Sequence, residues 1–166
     1  MRDTMTAHAD YERKLQTFIA THSVQAEHLV FATSCHSVAE AAEAAGVTPQ
    51  DFVKTICMLS KLGQVVAVIV KGVDRADRSA AQKLLGNGKL SLASPADMLE
   101  KTGFPAGGTP PFGFAATFLV DERVLEMPVV YAGGGSEFSL VRIAPAELLR
   151  ANGGAVATVR VLAAAS

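Results

Sequence analysis

The 166-residue sequence contains no tryptophan, and aromatic residues make up only 6% of it. Sheets that recognise single-stranded RNA stack its bases on exposed aromatic rings, so this composition argues against such a sheet. The formal net charge is -1, which argues against broad binding of a polyanion. Any contact with nucleic acid must therefore be local.

Cysteines are few and hydrophobic runs are short. Cys35 and Cys57 cannot form a zinc cluster or a secreted disulfide framework, so we expect reduced thiols in a cytoplasm. The four histidines show no ligand spacing, and we expect neither a metal nor another cofactor. The longest apolar run, 65–70, is too short to span a bilayer, and residues 1–10 lack the apolar core of a signal peptide. We therefore expect no membrane contact.

The remaining composition is that of an ordinary globular protein, with 49% hydrophobic and 19% charged residues. A chain of this length buries roughly 70% of the surface that it exposes when unfolded. No repeat or composition shift divides it. The sequence predicts a single domain spanning residues 1–166.

Local patterns predict an α+β fold. Tyr11, Leu15, Phe18 and Ile19 share one face of a first helix that ends near Thr21, within an N-terminal segment 1–25. Capping residues and glycines predict further helices at 37–46, 48–51, 77–85, 94–103 and 145–151. β-branched and apolar runs predict strands at 28–32, 53–60, 64–71, 89–93, 115–120, 129–132, 138–143 and 155–162. Hairpins among irregularly placed helices favour a mixed, largely antiparallel sheet.

Two common catalytic motifs are absent. The sequence Gly-Gly-Ser-Glu-Phe at 134–138 lacks the final glycine of a nucleophile elbow and lies between two strands, where that motif needs a strand and then a helix. The sequence Gly-Asn-Gly-Lys-Leu at 86–90 lacks the first glycine and the hydroxyl residue of a phosphate loop. The sequence therefore excludes a hydrolase triad at the first motif and a nucleoside triphosphate site at the second.

Two features of the sequence are unusual for a structural core. Lys54 interrupts an otherwise apolar strand and shares a face with Ile56 and Met58, so it either lines a pocket or extends its amine into solvent. Seven of the eleven residues in 103–113 are glycine or proline, which excludes a helix or a central strand. We call this segment the glycine-proline loop. Its backbone amides can bind an anion, or the loop is simply a rigid connector.

Taken in order, these and other elements resemble the YbaK/prolyl-tRNA-synthetase-associated family, the free-standing relatives of an editing domain of bacterial prolyl-tRNA synthetases. The matching elements are the alanine-rich helix at 38–45, Gly-Val-Thr-Pro at 46–49, Val-Lys-Thr at 53–55, Leu-Ala-Ser-Pro at 92–95, Thr-Gly-Phe at 102–104, the glycine-proline loop, Val-Asp-Glu at 120–122, Ala-Gly-Gly at 132–134 and Ala-Pro at 144–145. The resemblance covers roughly residues 30–150, which form the family core.

The resemblance implies a mixed sheet curled into a partial barrel with flanking helices, and hydrolysis of the ester of mischarged aminoacyl-tRNA. It implies that Lys54 is the residue most closely tied to activity, acting with backbone amides of Gly107, Gly108 and Thr109. The substrate-binding residues that we expect are Thr33, His36, Thr55, Pro110, Pro111, Phe112, Gly133 and Ser136. The expected partners are the acceptor end of an aminoacyl-tRNA, through local contacts, and an aminoacyl-tRNA synthetase.

A mechanism without a side-chain nucleophile follows from these groups. The Lys54 ammonium would pair with a phosphate or polarise the ester carbonyl, while the loop amides would hold the carbonyl oxygen as negative charge develops. Water would be the nucleophile, and the neighbouring ribose hydroxyl of the substrate would help to position or deprotonate it. No histidine-carboxylate pair is evident in the sequence.

Family members acting on cysteinyl-tRNA commonly carry a serine and a basic pair around this glycine turn, whereas the stretch 131–137 reads Tyr-Ala-Gly-Gly-Gly-Ser-Glu, so the edited amino acid stays open. A small one (alanine, cysteine or serine) on tRNA specific for proline is expected. Two alternatives also stay open. One is a non-catalytic module that binds the tRNA acceptor end, and the other is an esterase for small aminoacyl compounds.

Overall fold

The computed structural model describes residues 4–86 and 88–162. Within these ranges the α-helices are α1 (Thr4–Thr21), α2 (Val38–Ala45), α3 (Arg78–Leu85), α4 (Pro95–Thr102) and α5 (Pro145–Asn152). The strands are β1 (Ala26–Val30), β2 (Val53–Leu59), β3 (Val65–Lys71), β4 (Ser91–Leu92), β5 (Thr117–Asp121), β6 (Val130–Gly133), β7 (Ser139–Ile143) and β8 (Ala155–Ala157). Short 3₁₀ helices occupy Pro49–Asp51, Ala106–Gly108 and Glu122–Glu126. None of the described helices is both long and apolar enough to cross a membrane.

The strands form two sheets. One is antiparallel with the order β1-β7-β6, and the other is mixed with the order β4-β2-β3-β5-β8. In the larger sheet, β5 pairs in parallel with both β3 and β8, and each connection is a long crossover that includes at least one helix. A parallel bridge between Phe52 and Tyr131 joins the two sheets. The predicted α+β fold with a mixed, partly closed barrel is confirmed.

The hairpin of β2 and β3 forms the centre of the larger sheet. β3 is buried from Val65 to Val70 because apolar clusters cover both of its faces. α1 covers one side, with Leu15 fully buried and Phe18 and Ile19 packed against the same cluster. α3 covers the other side through Ala81. The predicted apolar face of the first helix therefore contributes to the core.

Local capping signals fix the helix ends. The Ser37 side chain accepts a hydrogen bond from the Glu40 amide at the start of α2, and Gly46 ends this helix in the left-handed conformation. Ser94 and Asp97 form a reciprocal capping box at the start of α4. These starts and stops lie where the sequence predicts them.

Four strands differ from their predicted bounds by two residues or more, and one of them is β5, which begins at Thr117 and not at residue 115. β1 begins and ends two residues earlier than expected, because its pairing with β7 runs from Ala26 to Val30. β4 has two residues. β8 ends at Ala157, because the next amides, of Val159 and Arg160, donate to the buried Asp121 carboxylate. The brief helix predicted after Thr48 is a single 3₁₀ turn.

Candidate functional site

A cavity of about 230 Å³ opens where the first residues of β2 meet α2 and the glycine-proline loop. Its wall is formed by Lys54, Thr55 and Ile56 of β2, Ala106, Gly107 and Thr109 of the loop, and Gly133 of β6. Cys35, His36, Val38, Ala41, Phe52 and Leu140 close the remaining sides. The cavity therefore joins the strand that carries Lys54 to the loop that carries the glycines.

Lys54 is half-buried on β2, opposite Val70 of β3. Its side chain lies on the strand face that also carries Ile56 and Met58, as the two-residue period predicts. Among the described residues, the amine has neither an ion pair nor a hydrogen-bond partner. An ammonium without a counter-ion is a group that an anionic or carbonyl oxygen can bind.

Thr55 provides a second unoccupied polar group. Its Oγ1 is buried and has no hydrogen-bond partner in the part of the chain that the structure describes, although the residue lines the cavity. A buried hydroxyl without a partner costs stability, so such groups are rare in folded proteins. Its position next to the cavity indicates a ligand that completes its hydrogen bonding.

The glycine-proline loop is held by its own 3₁₀ turn. The Gly108 amide donates to the Pro105 carbonyl at 3.0 Å, and the Thr109 hydroxyl lies within hydrogen-bond distance of the Pro105 and Ala106 carbonyls. The amides of Gly107 and Thr109 have no acceptor among the described residues. The predicted donor set is therefore corrected, because the Gly108 amide is already used within the loop, whereas the other two are available.

A second glycine-rich segment locks this loop in place. Residues 133–137, which we call the glycine turn, cross the loop so closely that a β-carbon on Gly133 would overlap the Thr109 carbonyl oxygen. The Gly135 amide donates to the Gly108 carbonyl at 2.8 Å. Only residues without a side chain allow two backbones to approach in this way.

His36 and Glu137 form a pair that the sequence did not reveal. His36 Nδ1 lies 3.1 Å from Glu137 Oε1, and the imidazole packs against Gly107 at the edge of the cavity. The Glu137 carbonyl also accepts the Cys35 amide at 2.6 Å. The two residues are 101 positions apart, so no local motif could indicate the pairing.

Six of the predicted site residues lie away from the cavity wall. Gly108, Pro110, Pro111 and Phe112 are buried, and Phe112 is fully enclosed in the core, where it stacks on Phe18. These residues shape the loop and do not line the cavity. Thr33 is exposed in a separate depression beside Glu40 and Glu43.

Ser136 is also corrected as a substrate contact. It is fully buried, and its hydroxyl lies 2.6 Å from Glu12 and 2.8 Å from the Ser139 hydroxyl. This network ties the glycine turn to α1. The predicted residues that the structure does bring together are Lys54, Thr55, His36, Gly107, Thr109 and Gly133.

The two thiols are free and buried. Burial and the nearby Glu40 carboxylate raise the pKa of Cys35, and burial raises the pKa of Cys57 to about 12. Both side chains are therefore neutral thiols near neutral pH, and Cys35 is not an activated nucleophile although it lines the cavity. No group of three or more potential metal ligands occurs among the described residues.

Comparison with known proteins gives consistent matches. The family described as aminoacyl-tRNA editing domain matches residues 32–151. The chain is 30% identical over 120 residues to the protein YwhH of Bacillus subtilis, across 71% of this chain and 76% of YwhH. A stretch of 91 residues is 30% identical to a proline–tRNA ligase of Desulfotalea psychrophila, across 55% of this chain and 16% of the ligase.

Solved structures agree with these matches. A crystal structure described as a candidate trans-editing enzyme for prolyl tRNA synthetase superimposes with a TM-score of 0.83 at 31% sequence identity. The alignment covers 91% of this chain and 97% of that chain.

Proposed function

The chain belongs to the aminoacyl-tRNA editing domain family, and on this basis we propose that it hydrolyses the ester bond of mischarged tRNA as a free-standing enzyme. Its similarity to part of a proline–tRNA ligase and to a candidate trans-editing enzyme supports tRNA specific for proline as the substrate. The proposed acyl group is a small amino acid, namely alanine, cysteine or serine. The proposed place of action is the cytoplasm, with the chain working as one editing domain.

One observation carries this proposal. A single cavity is lined by Lys54, Thr55, Gly107 and Thr109, whose ammonium, hydroxyl and two backbone amides have no partner among the described residues. These are the groups that stabilise negative charge on an ester oxygen. The cavity offers no activated thiol, which favours water as the nucleophile.

The proposed reaction is a hydrolysis with balanced proton transfers. Water adds to the ester carbonyl carbon, and the charge that develops on the carbonyl oxygen is held by the amides of Gly107 and Thr109. The bond to the ribose oxygen then breaks, and a proton originating from the water ends on that oxygen. Lys54 polarises the carbonyl or binds the adjacent phosphate, and the vicinal ribose hydroxyl positions the water.

The amino group of the substrate also needs a partner. The residues of the cavity wall include no carboxylate, and Glu137 reaches its edge through the pair with His36. We assign this pair to the substrate's α-amino group, with His36 in the substrate-binding role expected from the sequence. Glu137→Gln is then expected to raise KM for the charged tRNA while leaving kcat nearly unchanged.

The test is deacylation of tRNA specific for proline charged with alanine, cysteine, serine or proline. We expect the wild type to release the small amino acids and spare proline. Lys54→Ala is expected to lose about 100-fold or more in rate, since a charge-stabilising group of this kind contributes that much. Lys71→Ala is the matched control, because Lys71 is also half-buried and lies on the adjacent strand outside the cavity.

Thermal unfolding of all variants shows whether Lys54 is needed for the reaction or only for the stability of the fold. Loss of turnover in Lys54→Ala with an unchanged melting temperature supports the proposal. A wild type that binds charged tRNA but never releases the amino acid identifies a binding module instead. Equal cleavage of charged tRNA and of a free aminoacyl nucleoside identifies a small-molecule esterase.

A further inference from the structure

A second depression, which we call the arginine groove, adjoins the cavity. It has a volume of about 330 Å³ and is lined by Lys54, Ile56, Met58, Arg75, Arg78 and Leu92. Lys54 and Ile56 line both the groove and the cavity, so the two spaces meet at these residues. A ligand that occupies the cavity can therefore continue into the groove.

The groove carries three cations without counter-ions. Arg75 and Arg78 are exposed, and among the described residues neither their guanidinium groups nor the Lys54 amine forms an ion pair or a hydrogen bond. Arg78 is the first residue of α3, where the helix dipole is positive and a cation is unfavourable. The Arg78 guanidinium does not stabilise the helix at this position. An anionic ligand that binds it explains its presence better than a contribution to stability does.

The carboxylates near these cations have other contacts, although Asp74 Oδ2 is buried without a hydrogen-bond partner among the described residues. Asp74 accepts a hydrogen bond from Arg123 at 2.8 Å, and Asp77 caps α3 by accepting the Ala80 amide at 3.1 Å. Asp121 is buried and bonded to Arg160 at 3.0 Å. The lining of the groove contains three cations and no carboxylate, on a protein whose net charge is near zero.

The segment that carries the two arginines is held by the C-terminal part of the chain. The Val161 amide donates to the Arg75 carbonyl, and the Asp77 amide donates to the Val159 carbonyl, both at 2.7 Å. An isolated bridge pairs Ala76 with Arg160. The backbone of the groove is thus fixed before a ligand binds, which lowers the entropic cost of binding.

We propose that the arginine groove binds the phosphodiester backbone of the single-stranded acceptor end of tRNA and directs its terminal adenosine into the cavity. This inference rests on the proposed deacylase function. The lining residues include no aromatic ring on which bases could stack, so the groove fits the sugar-phosphate backbone. Ile56, Met58 and Leu92 provide an apolar floor for the sugar rings.

The experiment compares two substrates and two double variants. The variant Arg75→Gln with Arg78→Gln removes both guanidinium groups, and Lys83→Gln with Lys89→Gln removes two exposed charges outside the groove. Each protein is assayed with full-length alanyl-tRNA specific for proline and with alanyl-adenosine, which lacks the phosphates that would occupy the groove. The salt dependence of KM is measured for the tRNA substrate.

We expect the arginine variant to raise KM for charged tRNA about tenfold and to lower the salt slope by about 1.4, since each phosphate contact to a single strand contributes about 0.7. Its kinetics on alanyl-adenosine should equal those of the wild type, and its melting temperature should not fall. The lysine variant should behave as wild type on both substrates.

Equal loss on both substrates, or an unchanged salt slope, overturns the groove assignment while leaving the deacylase proposal standing. If the wild type cleaves neither substrate, the deacylase proposal fails. The groove assignment is then tested by measuring the binding of RNA. In that measurement a labelled single-stranded RNA ending in CCA is titrated with each protein. Equal affinity of the wild type and the arginine variant refutes the groove, and weaker binding by the arginine variant alone supports it.

Discussion

At the scale of single residues, buried hydroxyl groups differ in whether the protein satisfies their hydrogen bonding. Thr55 Oγ1 is buried without a partner, whereas the hydroxyl of Thr102, also buried, donates to the Met98 carbonyl at 2.6 Å and accepts the Phe104 amide at 3.1 Å. The first group is available to a ligand and the second only supports the fold. The same substitution at these two positions therefore separates function from stability.

We predict that Thr55→Val lowers the deacylation rate about tenfold and leaves the free energy of unfolding unchanged or raises it by about 1 kcal/mol. The physical reason is that valine has the shape of threonine but removes a buried hydroxyl that has no partner in the free protein. Rates on charged tRNA and denaturant unfolding measure the two effects. A large loss of stability with full activity would contradict the assignment of Thr55 to ligand binding.

Thr102→Val is the matched control. It should destabilise the protein by about 1–3 kcal/mol, because it leaves the Phe104 amide without its acceptor in a buried position. The rate of the folded fraction should stay close to that of the wild type.

How much of the site the sequence predicts depends on how far apart in the chain the interacting residues are. Lys54 is predictable because the period of a strand places it on one face with Ile56 and Met58, and this needs only neighbouring residues. The pair of His36 and Glu137 is not predictable in this way, because two loops that are distant in the chain must first come together. The use of the Gly108 amide inside a 3₁₀ turn likewise depends on the loop geometry.

At the scale of elements, the crossing of the glycine-proline loop and the glycine turn positions the cavity wall. Gly133 faces the backbone of Thr109 and Gly108, whereas Gly107 faces the side chains of His36 and Glu137. Backbone cannot move aside without shifting the whole loop, but an exposed imidazole can rotate. Alanine at the two positions should therefore have different effects.

We predict that Gly133→Ala destabilises the protein by about 1–3 kcal/mol and abolishes activity, since the added methyl group overpacks a backbone crossing. Gly107→Ala should change the free energy of unfolding by less than about 1 kcal/mol and reduce activity by displacing His36. Denaturant unfolding and deacylation of each variant test this contrast. Equal destabilisation by both substitutions would show that the two glycines do not differ as the contacts indicate.

The sequence predicts elements well where their signals are local. The ends of α2 and α4 follow from Ser37, Gly46, Ser94 and Gly103, which act within a few residues of each helix. The end of β8 is not predictable, because apolar residues continue to Leu162 while the buried Asp121 carboxylate takes up the amides of the chain after Ala157. Tertiary hydrogen bonding thus overrides the strand pattern there.

At the scale of the whole molecule, α5 ties the late part of the chain to the early part. Glu147 accepts the Gln25 amide at 2.9 Å, just before β1, and Arg150 donates to the Ser23 carbonyl at 2.9 Å. The hydrogen bond from Arg150 and that from the Gln25 amide lower the pKa of Glu147 to about 2. The carboxylate therefore stabilises the fold only while it is ionised.

We predict that this contribution to stability is complete above a pH of about 4.5 and is lost as the pH falls towards about 2. The sign follows because the unfolded chain binds the proton more tightly than the native protein in this range. Glu147→Gln should therefore lower the melting temperature at neutral pH and flatten its decline in acid. If the melting temperature of Glu147→Gln fell in acid as steeply as that of the wild type, other carboxylates would determine the pH dependence of stability in this range.

The interlocked glycines restrict how the acyl specificity of this protein can be redesigned. On the loop side, the cavity wall is formed by main chain that tolerates no added atoms at Gly133. Substitutions that change the size of the cavity there would therefore disrupt the packing of the two loops. Val38 and Ala41 of α2 also line the cavity and take no part in that crossing. Attempts to admit a bulkier or smaller amino acid should begin with a library at these two helical positions.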